Sequence, residues 1–265
     1  MPDETVEQFL DRVVEVLRSD KRILAAWLMG SHARGTADRH SDVDLWLVVR
    51  PEDKDDVVAD WPQSADRIAP SVLRQRVFGS TFLHITPQWR RWDVSIGVPD
   101  DVPNRSRAVL KPLFDRGGLN DRLGPGGTPQ APDPNRIVAL ATEFLRVLGL
   151  LPVVLGRAEY VAGVSGAGLL RGLVVQLFVE DVAVEDRGGA LHLNALLPPE
   201  RLQRLAELPA VVAGRDSVLE AHTACARLFL PVARDLASRS GAQWPSALED
   251  ALRSRLRTEL GMEIP

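Results

Sequence analysis

The sequence lacks several features that would place the protein in a well-defined class. It has one cysteine, Cys225, so an internal disulfide framework is excluded. Its first residues are acidic and are not followed by an apolar segment, so no signal peptide is predicted. No run approaches the roughly 18 apolar residues that suggest a membrane span. These absences predict a soluble, cytoplasmic protein.

An excess of positive charge is also missing. The chain has 32 Lys and Arg against 36 Asp and Glu, which gives a formal net charge of -4. Proteins that bind a phosphate backbone are usually basic, so we do not expect nucleic acid as a partner. The five histidines show no metal-binding spacing such as H-E-x-x-H. An acidic chain is better suited to metal ions or cationic organic molecules.

What the sequence does contain is enough apolar material for a folded core. Of its 265 residues, 45% are hydrophobic, which allows one large domain or two of ordinary size. Residues 124–134 are rich in glycine and proline and indicate a linker. Residues 1–123 alternate short β-like runs with polar loops, whereas residues 135–265 are helical in pattern. We therefore expect an α+β fold, with an N-terminal mixed β-sheet flanked by helices and a C-terminal all-α helical bundle.

The periodicity of apolar residues predicts the individual elements. Before the linker, helices are expected at Val6–Leu17 and Glu52–Trp61. Strands are expected at Ile23–Met29, Val43–Val49, Thr81–Thr86, Trp89–Val98 and Arg107–Phe114. After the linker, helices are expected at Asn135–Gly149, Leu169–Glu180, Pro199–Leu208, Ser217–Ser238 and Ser246–Leu260. Asp133 should cap the first of these helices, with Pro134 in its first turn.

The stretch between the first two predicted strands carries the chemistry. An apolar strand runs into Gly30 and Ser31, a polar loop follows, and Asp42 and Asp44 then flank a valine at the start of the next strand. Residues two apart in a strand share a face, so the two carboxylates project together and repel each other. A Mg²⁺ ion, which takes oxygen ligands, would relieve that repulsion. The glycine allows close backbone approach, and the serine hydroxyl and nearby amides can hold phosphate oxygens.

A third acid fits the same site. Asp93 lies in a later predicted strand, on the same face as Arg91 and Ser95. If the two strands are neighbours, Asp93 meets Asp42 and Asp44. Three acids can hold two ions roughly 3.5–4 Å apart, an arrangement that clamps the attacking and leaving oxygens of a displacement at phosphorus.

Taken together, Gly30-Ser31, the ten-residue gap, Asp42-Val-Asp44 and the later strand acid resemble the DNA polymerase β-like nucleotidyltransferase superfamily. The length and the helical second half look like the antibiotic nucleotidyltransferases, especially the lincosamide and aminoglycoside types. The resemblance implies that Asp42 and Asp44 bind Mg²⁺. It also implies that Asp93 is a metal ligand or the base for the acceptor hydroxyl, and that Gly30 and Ser31 hold the triphosphate.

The resemblance implies an enzyme that moves a nucleoside monophosphate, most readily AMP, from an NTP to a small hydroxylated molecule and releases pyrophosphate. The acceptor is expected between the two domains, with a contribution from the helical one. One alternative is a protein-modifying, AMPylating enzyme of the minimal type found in toxin–antitoxin pairs, although those chains are shorter. Another is a silent nucleotide-binding protein, which has no reason to keep three mutually repelling acids. The sequence leaves the acceptor, the choice of NTP and the oligomeric state open.

Other polar residues are less specific. Arg34 is placed with the nucleotide-binding residues, and Arg107 could also steady phosphates, although surface charge or an internal ion pair explains either arginine as well. His32 and His40 lie in the polar loop and are expected to be solvated. His222 falls among apolar residues on a predicted helix and is expected to be a packed, hydrogen-bonded residue.

Overall fold

The chain folds into two units of different architecture. The computed structural model describes residues 4–188 and 190–265, and it divides into Met1–Gly127 and Thr128–Pro265. The described part of the first unit combines a six-stranded sheet with helices, and that of the second has helices alone. This confirms the predicted α+β class with a helical C-terminal region.

The first unit is built around a mixed sheet. Its helices are α1 (Val6–Ser19), α2 (Gly30–Arg34) and α3 (Lys54–Ile68). Its strands are β1 (Ile23–Leu28), β2 (Val43–Val49), β3 (Leu73–Phe78), β4 (Thr81–Ile85), β5 (Arg91–Gly97) and β6 (Lys111–Asp115). They lie in the order β3-β4-β5-β2-β1-β6. The β2–β5 pair is parallel, and the other neighbouring pairs are antiparallel.

Local sequence signals set the first helix. The Thr5 hydroxyl accepts a hydrogen bond from the Gln8 amide, and the Gln8 side chain accepts one from the Thr5 amide, which forms a capping box. The buried face of α1 contains Phe9, Val13 and Leu17. These residues pack in one cluster with α3 and with the sheet, so α1 and α3 cover the same face.

The two faces of the sheet have different roles. Val43 and Leu45 of β2 point into the cluster formed with α1 and α3. Trp46 and Val48 point to the opposite face and pack in a smaller cluster with residues from the 99–123 segment. Asp44 alternates with them and therefore lies on that opposite face, at the beginning of β2. The fold thus places the acidic motif away from the covering helices.

Several elements of the first unit differ from prediction. The loop after β1 begins as the short helix α2, and α3 continues through Pro62 to Ile68 because Trp61 and Ala65 bury its apolar face. The sixth strand starts at Lys111, after a 3₁₀ turn, and not at residue 107. Apolar patterning fails at these places because capping and tertiary burial decide the bounds.

The edge strand β3 was not predicted. All six of its residues are exposed, and its apolar side chains do not alternate with polar ones, so it lacks the period-2 signal of a half-buried strand. Backbone pairing with β4 holds it in the sheet. The opposite edge, β6, carries Lys111 and Pro112, two residue types that discourage further pairing.

The second unit is an assembly of helices. They are α4 (Pro134–Leu148), α5 (Leu151–Gly156), α6 (Tyr160–Glu180), α7 (Leu193–Leu196), α8 (Pro199–Ala206), α9 (Arg215–Ser240) and α10 (Ser246–Leu260). The predicted start of α4 is confirmed, since the Asp133 carboxylate accepts from the Asn135 amide at 2.9 Å. Helix α6 begins nine residues earlier than predicted. A Cβ at Gly163 would lie 2.7 Å from Val218, so this glycine allows close packing against α9.

Arginine–carboxylate clusters connect helices and loops of the second unit. Asp181 pairs with Arg201 and Arg239. Glu249 is 6% exposed and binds Arg253 through its Nε at 2.9 Å and its Nη2 at 2.7 Å. Because these arginines are committed to buried carboxylates of their own unit, we assign them a structural role.

Two helical segments are long and apolar enough to be mistaken for membrane spans, although no such segment was predicted. Pro134–Gly156 and Tyr160–Glu180 pass a test of length and composition, with 50% and 39% of the tested window buried in the structure. Core helices of soluble proteins pass the same test, so the evidence for a membrane is weak. The cytoplasmic location stays a prediction.

A buried histidine lies in the core of the first unit. His84 is 1% exposed, stacks on the Trp92 ring at 4.0 Å and accepts a hydrogen bond from Trp61 Nε1 at 3.3 Å. Burial lowers the pKa of His84 from 6.5 to about 4. Because the folded pKa lies below the unfolded one, the unfolded chain takes up a proton first as the pH falls. Stability is therefore unaffected above about pH 6.5 and decreases between that pH and about pH 4.

We expect this histidine to make the protein acid-sensitive. The two pKa values correspond to roughly 3 kcal/mol of lost stability at full protonation. Urea unfolding at about pH 7.5 and about pH 4.5 should show a smaller loss for His84→Gln than for the wild type. An equal loss in both proteins would assign the acid sensitivity to other groups.

Candidate active site

Gly30 brings the backbone after β1 against the Asp44 carboxylate. The Met29 amide donates to the Asp44 carbonyl at 2.8 Å, which joins the end of β1 to the start of β2. Gly30 has a φ of +61°, and a Cβ built on it would lie 2.2 Å from Asp44 Oδ2. Any other residue would clash with the carboxylate and strain the backbone. The backbone at this glycine therefore lies close to the Asp44 carboxylate, while its approach to phosphate stays a prediction.

The three predicted acids come together on one face of the sheet. Asp44 and Asp93 are register partners in the parallel strands β2 and β5. Asp42 immediately precedes β2, and its Oδ2 lies 3.1 Å from Arg91 Nη2. Within residues 4–188 and 190–265, no group of three or more His, Cys, Asp or Glu side chains already has the arrangement of a metal site. The carboxylates are neighbours, but they do not converge on a single point.

The electrostatics of the acids are unfavourable. Burial, followed by the charges of Asp42 and Asp93, raises the pKa of Asp44 to about 6. Burial and the charge of Asp42 also raise the pKa of Asp93. Arg34 and Arg91 oppose the shift at Asp44. The site therefore concentrates more negative charge than its own arginines neutralise, and an added cation would stabilise it.

The other predicted site residues lie on α2, the five-residue helix next to Asp44. Gly30 and Ser31 begin the helix, and Arg34 lies in its last turn. The charge of Arg34 reaches Asp44. The structure therefore places the residues predicted to contact phosphate beside the residues predicted to hold metal.

Comparison with known proteins agrees with this geometry. Residues 11–80 match the family described as "Polymerase beta, Nucleotidyltransferase", and the match includes Gly30, Ser31, Asp42 and Asp44. The first unit is of the polymerase β nucleotidyltransferase type. Asp93 lies outside the matched segment. The resemblance inferred from the sequence motif is thereby confirmed.

The family match is confined to part of the first unit. No curated protein matches the chain in sequence. Among solved structures, it is similar to an aminoglycoside 6-adenyltransferase from Bacillus subtilis, with 12% identity, coverage of 96% of this chain and 98% of that chain, and a TM-score of 0.45. We draw no conclusion about substrate from a likeness at that level.

Two residues near the nucleotidyltransferase motif are not as predicted. His32 is half-buried and not solvated, because the loop folds into α2; its Nε2 is buried with no hydrogen-bond partner among the described residues, and burial lowers its pKa. Arg107 donates to the backbone carbonyls of Asn120 and Asp121, so its visible role is structural. His40 is exposed, as predicted.

One charged residue of this site was missed. The strand alternation placed Arg91 on the face of Asp93, but nothing in the sequence indicated that its guanidinium would contact Asp42, about fifty residues away along the chain. That pairing depends on β2 and β5 being neighbours, which is a property of the sheet topology.

Replacing Gly30 by alanine should disable the site. The added Cβ would displace the Asp44 carboxylate, and a misplacement of about 1 Å at a reacting centre lowers activity by roughly 100-fold. The measurement is kcat/KM, with thermal unfolding as a check on folding. Gly35→Ala is the matched control, because Gly35 also has a positive φ, +71°, but its Cβ would contact nothing within 4 Å. Equal losses in the two variants would show that backbone strain, and not the clash, is responsible.

Proposed function

We propose that this protein transfers a nucleoside monophosphate, most readily AMP, from an NTP to a hydroxyl group of a small molecule and releases pyrophosphate. The observation that supports it best is the register pairing of Asp44 with Asp93, beside a glycine whose Cβ position is filled by the Asp44 carboxylate. A sheet gains nothing in stability from this arrangement, because the acids repel one another. The arrangement of acids is instead suited to binding a cation together with a polyphosphate.

The residues present fit a divalent cation. Their ligands are carboxylate oxygens, the kind that Mg²⁺ prefers, and the crowded negative charge favours any ion that neutralises it. Asp42, Asp44 and Asp93 would hold the metal, and three acids are enough for two ions. When bound, the metal would neutralise triphosphate charge and favour loss of the acceptor hydroxyl's proton.

The remaining steps belong to the chain's own residues. The Ser31 hydroxyl and the backbone amides after β1 would bind phosphate oxygens and orient the α-phosphorus. Arg34, one helical turn away, would add a positive charge on the same side. Asp93 would accept the proton of the acceptor hydroxyl at a carboxylate oxygen as that hydroxyl attacks the α-phosphorus. Positioning and charge then account for most of the catalysis, as is usual for transfer at phosphorus.

The acceptor is proposed to be a small hydroxylated molecule, with the helical unit contributing to its binding. Lincosamides and aminoglycosides are the first compounds to test, because the motif and the two-part layout resemble the enzymes that modify them. We expect the protein to work without nucleic acid, in line with its net charge of -4.

The proposal predicts acceptor-dependent release of pyrophosphate. Purified protein should be incubated with Mg²⁺, each labelled NTP in turn and a panel of hydroxylated compounds, with Asp44→Asn protein as the control. Label should move to a small-molecule product in the wild type only. Label found on a protein band would support the AMPylating alternative. Nucleotide binding without turnover on any acceptor would support the silent one.

A further inference from the structure

Arg91 brings a positive charge to the acidic site. It is the first residue of β5 and, two residues before Asp93, shares that residue's face of the sheet. Its Nη2 lies 3.1 Å from Asp42 Oδ2. Asp44 is the register partner of Asp93, so its carboxylate lies on the same face. One positive charge therefore shares a face of the sheet with all three acids.

The neighbouring arginine shows that this arrangement is specific to one face. Arg90 binds Glu4 through its Nη1 at 3.0 Å, and its guanidinium lies 5.1 Å from the centre of the Phe9 ring. Phe9 belongs to the cluster formed by α1, α3 and the sheet, on the side away from the acids. The two adjacent arginines thus have separate partners, and Arg91 alone of this pair is directed at the acidic site.

The contact between Arg91 and Asp42 is of a kind that is easily exchanged. It uses a single guanidinium nitrogen, and the two side chains are 38% and 37% exposed. By contrast, Glu249 is nearly buried and receives two nitrogens from Arg253. Exposed, single-contact ion pairs are weak, whereas buried and multiply bonded ones resist separation.

We propose that Arg91 is a resident counterion of the acidic site, which neutralises the carboxylates in the metal-free protein and competes with the divalent cation for Asp42. This inference rests on the proposed function, because it takes the three acids as the cation's ligands. The cation needs the oxygen that the guanidinium now holds, and it is repelled by a positive charge close by. Arg91 must therefore move when the cation binds. Arg91 thereby lowers the affinity of the site for the cation, although it is not itself a ligand.

The inference makes an unusual prediction, since removing a residue should improve binding. Arg91→Gln should bind Mn²⁺ between about threefold and tenfold more tightly than the wild type, because a competitor and a repelling charge are both removed. The same variant should have a lower unfolding temperature in the absence of divalent cation, and a larger rise in that temperature when Mn²⁺ is added. If Arg91 merely supported the structure of the site, its replacement would weaken Mn²⁺ binding.

The experiment is a titration of full-length protein with Mn²⁺ by calorimetry or by the resonance signal of the free ion, with no nucleotide present. Arg91→Lys, which keeps the charge but not the guanidinium, should lie between wild type and Arg91→Gln, and it decides the question should the glutamine variant not fold. Arg90→Gln is the matched control on the opposite face and should bind Mn²⁺ as the wild type does. Unchanged or weaker binding in both Arg91 variants would overturn the inference.

A further variant separates this result from the proposed function. Asp44→Asn should abolish Mn²⁺ binding at the site. If the wild type and Asp44→Asn bind Mn²⁺ equally, the acids are not the cation site, and the proposed function and the inference about Arg91 both fail. If Asp44→Asn abolishes binding and the Arg91 variants bind no more tightly, the cation site stands and the inference alone fails.

Discussion

Replacing Asp42 or Asp44 by asparagine should abolish nucleotidyl transfer without unfolding the protein. Each substitution removes a proposed metal ligand, and we expect kcat/KM to fall at least about 1000-fold, equivalent to about 4 kcal/mol of transition-state stabilisation. The fold should persist, because neutralising one acid relieves the repulsion that, after burial, raises the pKa of Asp44. Two quantities should be measured for each variant and for the wild type: kcat/KM, and stability by urea unfolding of the metal-free protein.

Asp38→Asn is the control for this experiment. Asp38 lies in the same loop, four residues before Asp42, and its carboxylate accepts hydrogen bonds within the loop from the His40 amide and the Ser41 hydroxyl. The substitution makes the same change of charge away from the paired strands, so activity should remain. The metal-site assignment is wrong if Asp42→Asn unfolds the protein or retains full activity.

Asp93→Asn should lower kcat at least about a hundredfold, the scale typical of a general base. The acceptor hydroxyl is a weak nucleophile and must lose its proton as it attacks. In the proposed mechanism Asp93 accepts that proton; it is the register partner of Asp44 and shares its face of the sheet. If Asp93 is a base only, the Mg²⁺–NTP affinity should be nearly unchanged; if it is also a metal ligand, that affinity should fall as well.

The test is to measure kcat and Mg²⁺–NTP affinity on the same Asp93→Asn preparation. A near-normal kcat would remove Asp93 from the site and direct attention to acids of the helical unit, beginning with Glu143 and Glu159. Glu143 is the weaker of these candidates, because it forms a surface ion pair with Arg146 at 2.7 Å. Ser95→Ala, two residues further along the same face, is a suitable control, since the described hydrogen bond of the Ser95 hydroxyl is to Thr81.

The acidic motif was accessible from the sequence because strand alternation is a local rule. Val43 is 1% exposed, while Asp42 and Asp44 lie on the opposite side, as period 2 requires. The glycine at position 30 was also predictable in kind, since close backbone approach is what glycine allows. These features depend on residues near one another in the chain, and the structure places them as expected.

What the sequence did not reveal depends on which strands become neighbours. Alternation put Asp93 on a face with Arg91, but the parallel pairing of β5 with β2 had to be assumed. The contact of Arg91 with Asp42 and the burial of His32 follow from that pairing and from the helix α2, neither of which has a local signal. The exposed strand β3 was missed for a related reason, because backbone pairing, and not side-chain burial, holds it.

The parallel pair that unites the acids also constrains how the protein reaches its native state. β2 and β5 are separated along the chain by α3 and the hairpin of β3 and β4. Their pairing therefore closes a long loop, and the entropy cost of that closure comes before the contacts between the two strands can offset it. Hairpins and helices form in microseconds, whereas non-local strand pairing is slow. β5 is also the strand through which β3 and β4 join the rest of the sheet. We therefore expect the acidic site to be assembled late in folding, so that the like charges meet after the local helices and the hairpin have formed.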